Sequence, residues 1–134
     1  MASFWATTTP LTRATLGKFA HQSDGIKVES KQRWADVAVV KVVLKPGGST
    51  GWHHHPGVTL GSVASGAVAE YDKKCQKTFL KAGKGFVESN NEVHVVRNQG
   101  KVEAVLYATF IVPTKTTEEG LRIDDPKPKG CNVT

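Results

Sequence analysis

The sequence predicts an all-β protein whose antiparallel strands form a sandwich or a barrel. Short runs rich in β-branched and aromatic residues alternate with turns that contain glycine, proline and asparagine. No segment shows the apolar repeat of 3.6 residues, sustained over three turns, that an amphipathic helix requires. About eight to ten short strands are therefore expected, at the spacing typical of all-β domains.

The clearest strand covers residues 36–45, with the sequence DVAVVKVVLK. Successive side chains of a strand point to opposite faces. One face of this run is wholly apolar and consists of Ala38, Val40, Val42 and Leu44. The other face carries lysines, so we expect the apolar face to point into the core.

The remaining strands are expected between residues 53 and 113, after the turn PGGSTG. The histidine segment leads into VTLGSVASG, and AVAEYD, KTFLK, FVESNNEVHVVRN and EAVLYATFIVP follow in order. Turns such as AGKG and QGK separate these runs. The last run is the longest apolar strand, and Pro113 closes it.

A length of 134 residues fits one domain. We expect a single domain over residues 1–134, with a core at about residues 26–113 and a polar tail at residues 114–134. The tail contains prolines and few apolar residues, so we expect it to wrap the barrel or to fray. Leu121 and Ile123 are the residues expected to anchor part of it.

The net charge of +6 raises the question of nucleic-acid binding. The lysines are scattered singly or in pairs, without a basic stripe interleaved with aromatic residues, so no nucleic-acid partner is predicted. No apolar run approaches the ~18 residues that a membrane span needs, so no membrane partner is predicted. The N-terminal segment, residues 1–13, lacks the charged start and long apolar stretch of a signal peptide.

Cys75 and Cys131 are the two cysteines of the chain. They form either two free thiols in a cytosolic protein or one disulfide that pins the tail in a secreted or periplasmic protein. Both lie in polar segments, which slightly favours the bond and an extracytoplasmic location. The sequence leaves the compartment open.

Three adjacent histidines lie in PGGSTGWHHHPG, residues 46–57. In an extended strand His53 and His55 point to one face and His54 to the other. Neutral imidazole is a good ligand for divalent transition metals. The pair is either the start of a metal site or part of a solvated loop.

His94 is a candidate third ligand, in the strand-like run EVHVVRN. Strands that are distant in sequence are often neighbours in an antiparallel barrel. An imidazole from a second strand would complete a site with three nitrogen ligands on one side of an ion.

Regularly spaced glycines frame both histidine segments. The first pattern runs Gly47, five residues, His53-x-His55, three residues, Thr59, six residues, Gly66; the second runs from Gly83 through His94 to Asn98. These spacings resemble the two motifs of cupins, and the chain is similar to small single-domain bacterial cupins.

The chain departs from the cupin pattern at three positions. Thr59 stands where the first motif has a glutamate, and Ser89 and Asn91 stand where the second has a proline and a glycine. A threonine hydroxyl is a poor neutral ligand and does not replace a carboxylate. The site then has three histidines and positions open to water and substrate, or its metal affinity has decayed.

The resemblance implies an antiparallel cupin β-barrel, that is, a double-stranded β-helix or jelly roll. It implies that His53, His55 and His94 hold a divalent transition metal, one of Fe, Cu, Zn, Mn or Ni. Three-histidine iron centres in cupins are associated with dioxygenases that act on diketones, aromatic acids or thiols. It names no catalytic residue and no organic cofactor for this chain.

Three functions follow as expectations. The first is a small metal-dependent enzyme with dioxygenase-like chemistry on a small molecule, and the second is a non-catalytic module that binds a metal or a small ligand. The third is a structural barrel with an empty site. Because small cupins often dimerise, we expect a homodimer, formed through outer sheet faces or by exchange of the N-terminal strand.

Other polar and aromatic residues near the motifs have more than one interpretation. His54 is expected on the barrel exterior, Trp52 in packing, and Asn98 in support of its local turn. Tyr107 either lines the cavity as a donor to substrate or fills the core. Glu88 is either a substitute carboxylate or general base, or a solvated residue, and Glu70 and Glu92 are weaker candidates for the same role.

Overall fold

Residues 4–134 are the part of the chain described by the computed structural model, and their backbone forms twelve strands and one short 3-10 turn. The elements are β1 Phe4–Gly17, β2 Ala20–Ser23, β3 Ile26–Glu29, β4 Ala35–Ser49, β5 His53–His54, β6 Val58–Ser65, β7 Ala67–Asp72, β8 Lys77–Lys81, β9 Gly85–Ser89, β10 His94–Arg97, β11 Ala104–Pro113, the 3-10 turn Glu119–Leu121 and β12 Ile123–Asp124. Residues 1–3, which begin the N-terminal segment considered above, lie outside the described residues.

The strands build two antiparallel layers that face each other. One layer has the order β1-β4-β11-β6-β9 and the other the order β8-β7-β10-β5-β12. The layers join where Arg97 of β10 pairs with Ser49 at the end of β4. The prediction of an all-β antiparallel barrel is confirmed, and the result is a nearly closed double-stranded β-helix.

The core lies between the layers and is built from alternating residues, as the pattern of β4 predicts. Ala38, Val40 and Leu44 are buried. They pack in two apolar clusters with the inward residues of β11, which pairs with β4 along its whole length. The lysine-bearing face of β4 points outward. Burial of the apolar face is what aligns β4 and β11 in one register.

β1 lies outside the runs to which the sequence analysis assigned strand boundaries. It pairs with β4 from end to end, yet its side chains are mostly exposed, so no apolar alternation marks it. Arg13 of this strand donates from Nε to Asp36 Oδ2 at 2.7 Å and from Nη2 to the carbonyl oxygen of Thr116 at 2.7 Å. The strand is therefore held by backbone pairing and by one arginine that links β1, β4 and the segment after β11.

The C-terminal tail docks behind β5 and β10. Cys131 is bonded to Cys75 and packs against Trp52 and Val95. The indole Nε1 of Trp52 donates to the carbonyl oxygen of Val133 at 2.8 Å. β12 also pairs with β5, which places the tail directly against the strand that carries the first histidines.

β2 and β3 form a separate two-stranded hairpin outside the barrel. Its side chains, including Ile26 and Val28, are mostly exposed, and His21 lies there, away from the other histidines. Within residues 4–134, no helix has the length and apolar character needed to cross a membrane.

Candidate metal centre

Two paired strands bring the predicted histidines together. His94 of β10 lies directly opposite His53 of β5 in the antiparallel register. His55 follows β5 and, as the alternation predicts, lies on the same side as His53. The ring centroids are 4.3 Å apart for His53 and His94, 4.8 Å for His53 and His55, and 5.6 Å for His55 and His94.

Backbone carbonyls orient all three imidazole rings. Each Nδ1 lies within hydrogen-bond distance of one carbonyl oxygen, so Nδ1 carries the proton and donates it. The acceptors are Gly51 for His53 at 2.8 Å, Leu121 for His55 at 2.7 Å and Glu92 for His94 at 2.8 Å. The Nε2 atoms then carry the lone pairs, and Nε2 of His94 faces Glu88. The three histidines offer ligand atoms within 4.8 Å of one another.

Burial keeps these imidazoles neutral. It is the main cause that lowers the pKa of His53 well below its usual value and the pKa of His55 to about 4. Burial also lowers the pKa of His94, while the hydrogen bond to the Glu92 carbonyl opposes that shift. Neutral imidazole is the form that binds a metal, so the three histidines are ready for an ion at neutral pH without losing a proton.

The histidines lie on the wall of a cavity of about 350 Å³ inside the barrel. Most of the wall is apolar, and β4 and β11 each contribute three apolar side chains to it. The phenyl ring of Phe110 packs 4.8 Å from the ring of His55. The polar groups of the wall include Thr59, Glu88 and Arg122. An apolar cavity with a few converging polar groups is the usual form of a small-molecule site.

Glu88 is buried in this cavity. Its Oε2 lies 3.2 Å from Nε2 of His94, and the residue is only 6% exposed. The interpretation of Glu88 as a solvated residue is therefore wrong. In β9 the apolar Val87 points outward and is 68% exposed, so the carboxylate takes the inward position. Burial, followed by the hydrogen bond and charge of Glu70, raises the pKa of Glu88 to about 10.

Glu70 offers a carboxylate oxygen within 4.8 Å of ligand atoms of Glu88 and His94. Four other residues considered from the sequence do not line the cavity. His54 points away and its Nδ1 is 2.7 Å from Asp125 Oδ2. Trp52 is buried in packing, and Asn98 supports its turn by donating from Nδ2 to the carbonyl oxygen of Leu44 at 2.9 Å. Tyr107 lies on the outer face of β11 and is 39% exposed, so both interpretations of Tyr107 are wrong.

The tail contributes to the site in a way that the sequence analysis missed. Leu121 is buried and its carbonyl oxygen orients His55, whereas Ile123 is 41% exposed. Asp125 holds His54 on the other face of β5. The anchoring role expected of Leu121 pointed to this segment, but a backbone carbonyl acting on a histidine has no signature in the sequence.

Fold and site together define a cupin with a candidate metal centre, and the family comparison agrees. The profile of the family described as "Cupin domain" matches residues 40–110, which is more than half of the chain. The chain therefore belongs to the cupin family. No curated protein matches the chain by sequence.

Solved structures with the same fold include enzymes of oxalate chemistry. An oxalate oxidase in complex with the substrate analogue glycolate is 26% identical to this chain, with a TM-score of 0.50. The match covers 58% of this chain and 46% of the oxalate oxidase chain. A cupin superfamily protein from Desulfitobacterium hafniense is 16% identical with a TM-score of 0.57, covering 80% and 77%. A predicted oxalate decarboxylase from Thermotoga maritima is 21% identical with a TM-score of 0.50, covering 60% and 81%.

The chain thus spans about half the length of the oxalate oxidase that it matches. The other two structures are similar in fold alone, because their identities are low.

Proposed function

We propose that this cupin is a divalent-metal-dependent enzyme that uses His53, His55 and His94 for dioxygenase-like chemistry on a small molecule. The observation that carries the proposal is the orientation of the histidines. Three neutral imidazoles have their Nδ1 protons held by carbonyl oxygens, which leaves three lone pairs facing the same cavity. Such a donor set suits Fe, Cu, Zn and Ni.

The residues present fit a metal ion in one further respect. Thr59 Oγ1 and Glu88 Oε1 are buried in the cavity without a hydrogen-bond partner in the described part of the chain. Buried polar atoms are rarely left unpaired, and an ion or its bound water is a partner of the right kind. When bound, the metal would supply a Lewis acid and a meeting point for oxygen and substrate.

The volume of the cavity favours a small substrate. A volume of about 350 Å³ is near the lower end for small-molecule sites. Arg122 lines the cavity together with Glu118 and Glu119, and its Nε donates to Asp124 Oδ1 at 2.6 Å. Its guanidinium is the group of the wall that could bind the carboxylate of a small acid. The similarity to an oxalate oxidase bound to glycolate also points to a small organic acid as the first substrate to test.

The test begins with metal content. Protein purified from an unsupplemented host is compared with the variant His53→Ala/His55→Ala/His94→Ala by elemental analysis. We expect stoichiometric metal in the first protein and none in the second, and equal contents would refute the metal site. Oxygen uptake is then measured with oxalate, glycolate, a diketone, a thiol and a catechol.

A second candidate is a non-catalytic module that binds a metal or a small ligand. It is favoured by Thr59, since the carboxylate that the first cupin motif provides is absent at that position. Tightly bound copper or zinc without turnover of any tested compound would support this candidate over the enzyme.

We also propose that the chain forms a homodimer through its outer sheet faces. Apolar residues on the outer face of β6 and β9, namely Val58, Leu60 and Val87, are exposed in the single chain. Light scattering should give twice the mass of the 14.4 kDa chain, and Leu60→Glu/Val87→Glu should give the monomer. A wild-type mass equal to one chain would refute the dimer.

A further inference from the structure

We propose that Glu88 is the oxygen ligand of this metal centre and replaces, from the neighbouring strand, the glutamate that the first cupin motif lacks at Thr59. The inference rests on the proposed three-histidine metal site and adds a fourth protein ligand to it. It assigns a binding role to a residue at a variable position of the second motif, just before Ser89.

The sheet register explains how a carboxylate from another strand can serve the same site. Thr59 of β6 and Glu88 of β9 are directly opposed partners in the antiparallel pair. Directly opposed residues point to the same face, with Cβ atoms about 5 Å apart. Both residues are buried and both line the cavity. The carboxylate of Glu88 is therefore attached one strand away from the motif position and points into the same cavity.

The distance between Glu88 and His94 fits two ligands of one ion. Their closest atoms, Oε2 and Nε2, are 3.2 Å apart. Bonds of about 2.1 Å to nitrogen and oxygen place adjacent ligand atoms about 3.0 Å apart in an octahedral site and about 3.4 Å apart in a tetrahedral one. The observed separation lies between these values, so no large movement is needed for both atoms to bind.

The burial of Glu88 requires that its negative charge be neutralised, by a proton or by a bound cation. The residue is 6% exposed, and its Oε1 has no hydrogen-bond donor within residues 4–134. A carboxylate removed from water costs several kcal/mol unless it is paired, protonated or bound to a metal. An ion between Glu88 and the histidines accounts for the placement of the carboxylate and of the free imidazole nitrogens together.

The inference changes the charge expected at the metal. Three neutral imidazoles leave a divalent ion with its full charge of 2+, whereas one carboxylate ligand lowers the net charge of the centre to 1+. A mixed nitrogen and oxygen donor set is also better suited to Mn and Fe than imidazole alone.

The test measures the binding of Co²⁺ alone to purified metal-free protein, by competition with a chromophoric chelator and by the visible absorption of the bound ion. Glu88→Gln keeps the size of the side chain and removes the anionic ligand. We expect at least about a tenfold loss of Co²⁺ affinity and a changed visible spectrum. The matched control is Glu103→Gln, which removes one negative charge from an exposed position outside the cavity and should leave both unchanged.

A second variant makes the test independent of folding defects in the first. Thr59→Glu/Glu88→Gln returns the carboxylate to the motif position and should recover Co²⁺ affinity and the wild-type spectrum. A folded double variant that recovers neither would overturn the inference, as would wild-type affinity in Glu88→Gln. By contrast, the proposed function itself fails if the wild type binds no Co²⁺ or if the triple histidine variant binds it equally well.

Discussion

Removal of the Cys75–Cys131 disulfide should destabilise the protein by about 4 kcal/mol. The bond joins the β7–β8 turn to the C-terminal tail, and Cys131 lies against Trp52, the residue before His53. We expect the variant Cys75→Ser/Cys131→Ser to fold with the same strands and with a less stable tail.

The magnitude follows from the length of chain that the bond closes. The sequence separation is 56 residues. In the chain-entropy model a loop of this size lowers the entropy of the unfolded state by an amount worth about 4 kcal/mol at 25 °C. For a chain of 134 residues, that loss corresponds to a decrease in Tm of about 15 °C.

Urea unfolding followed by tryptophan fluorescence measures the effect. Trp52 is buried beside Cys131 and reports on the tail, while far-ultraviolet circular dichroism reports on the strands. Wild-type protein in reductant is the control and should match the double variant. A loss below about 1 kcal/mol, with an unchanged dependence on urea, would show that the tail is held by its other contacts and would refute the reasoning.

Three further changes probe the site, a turn and β1. Burial lowers the pKa of His55 to about 4, so as the pH falls below neutral the unfolded metal-free chain binds a proton at this residue before the folded chain does. The free energy of unfolding should therefore fall by up to about 3 kcal/mol between pH 7 and pH 4. Urea midpoints that do not change with pH, or the same pH dependence in His55→Gln, would contradict this. Gly57→Ala should lower the free energy of unfolding by at least about 2 kcal/mol, because Gly57 has φ +72° and a Cβ would meet a backbone carbonyl of β11. The control Gly130→Ala, at φ +80° in open space, should lose only about 1 kcal/mol for the backbone conformation. Equal losses of stability in thermal unfolding would contradict this. A hydrogen bond from Arg13 lowers the pKa of Asp36, so this pair stabilises the fold above the ordinary pKa of the carboxyl and stops doing so as the pH falls. Arg13→Gln should therefore lower Tm at pH 7 and much less at about pH 2. The same decrease in Tm at both pH values would contradict this.

Much of the fold and part of the site were predictable because they depend on local alternation. The apolar face of β4 was assigned correctly from its period of two residues. The same alternation places His53 and His55 on one side of the chain and His54 on the other, as the structure has them. The framing glycines then led to the cupin resemblance, which the family match confirms.

The features that the sequence did not predict correctly have physical causes. β1 is paired through its backbone while its side chains remain exposed, so it leaves no pattern to detect. In β9 the alternation runs against hydrophobicity, with Val87 outside and Glu88 inside, because the cavity side of the strand faces the histidines. Tyr107 is outside for a related reason, since the inward positions of β11 belong to its even-numbered neighbours.

The sequence by itself determined most strands between residues 36 and 113, the side of the chain to which each motif histidine points, and the missing carboxylate at Thr59. Each of these depends on neighbours in the chain. Only the tertiary structure decided which strands lie side by side. Register placed His94 opposite His53 and Glu88 opposite Thr59, and the tail brought a carbonyl oxygen to His55. Pairings between distant segments are set by burial and backbone hydrogen bonding of the whole barrel, which no local pattern encodes.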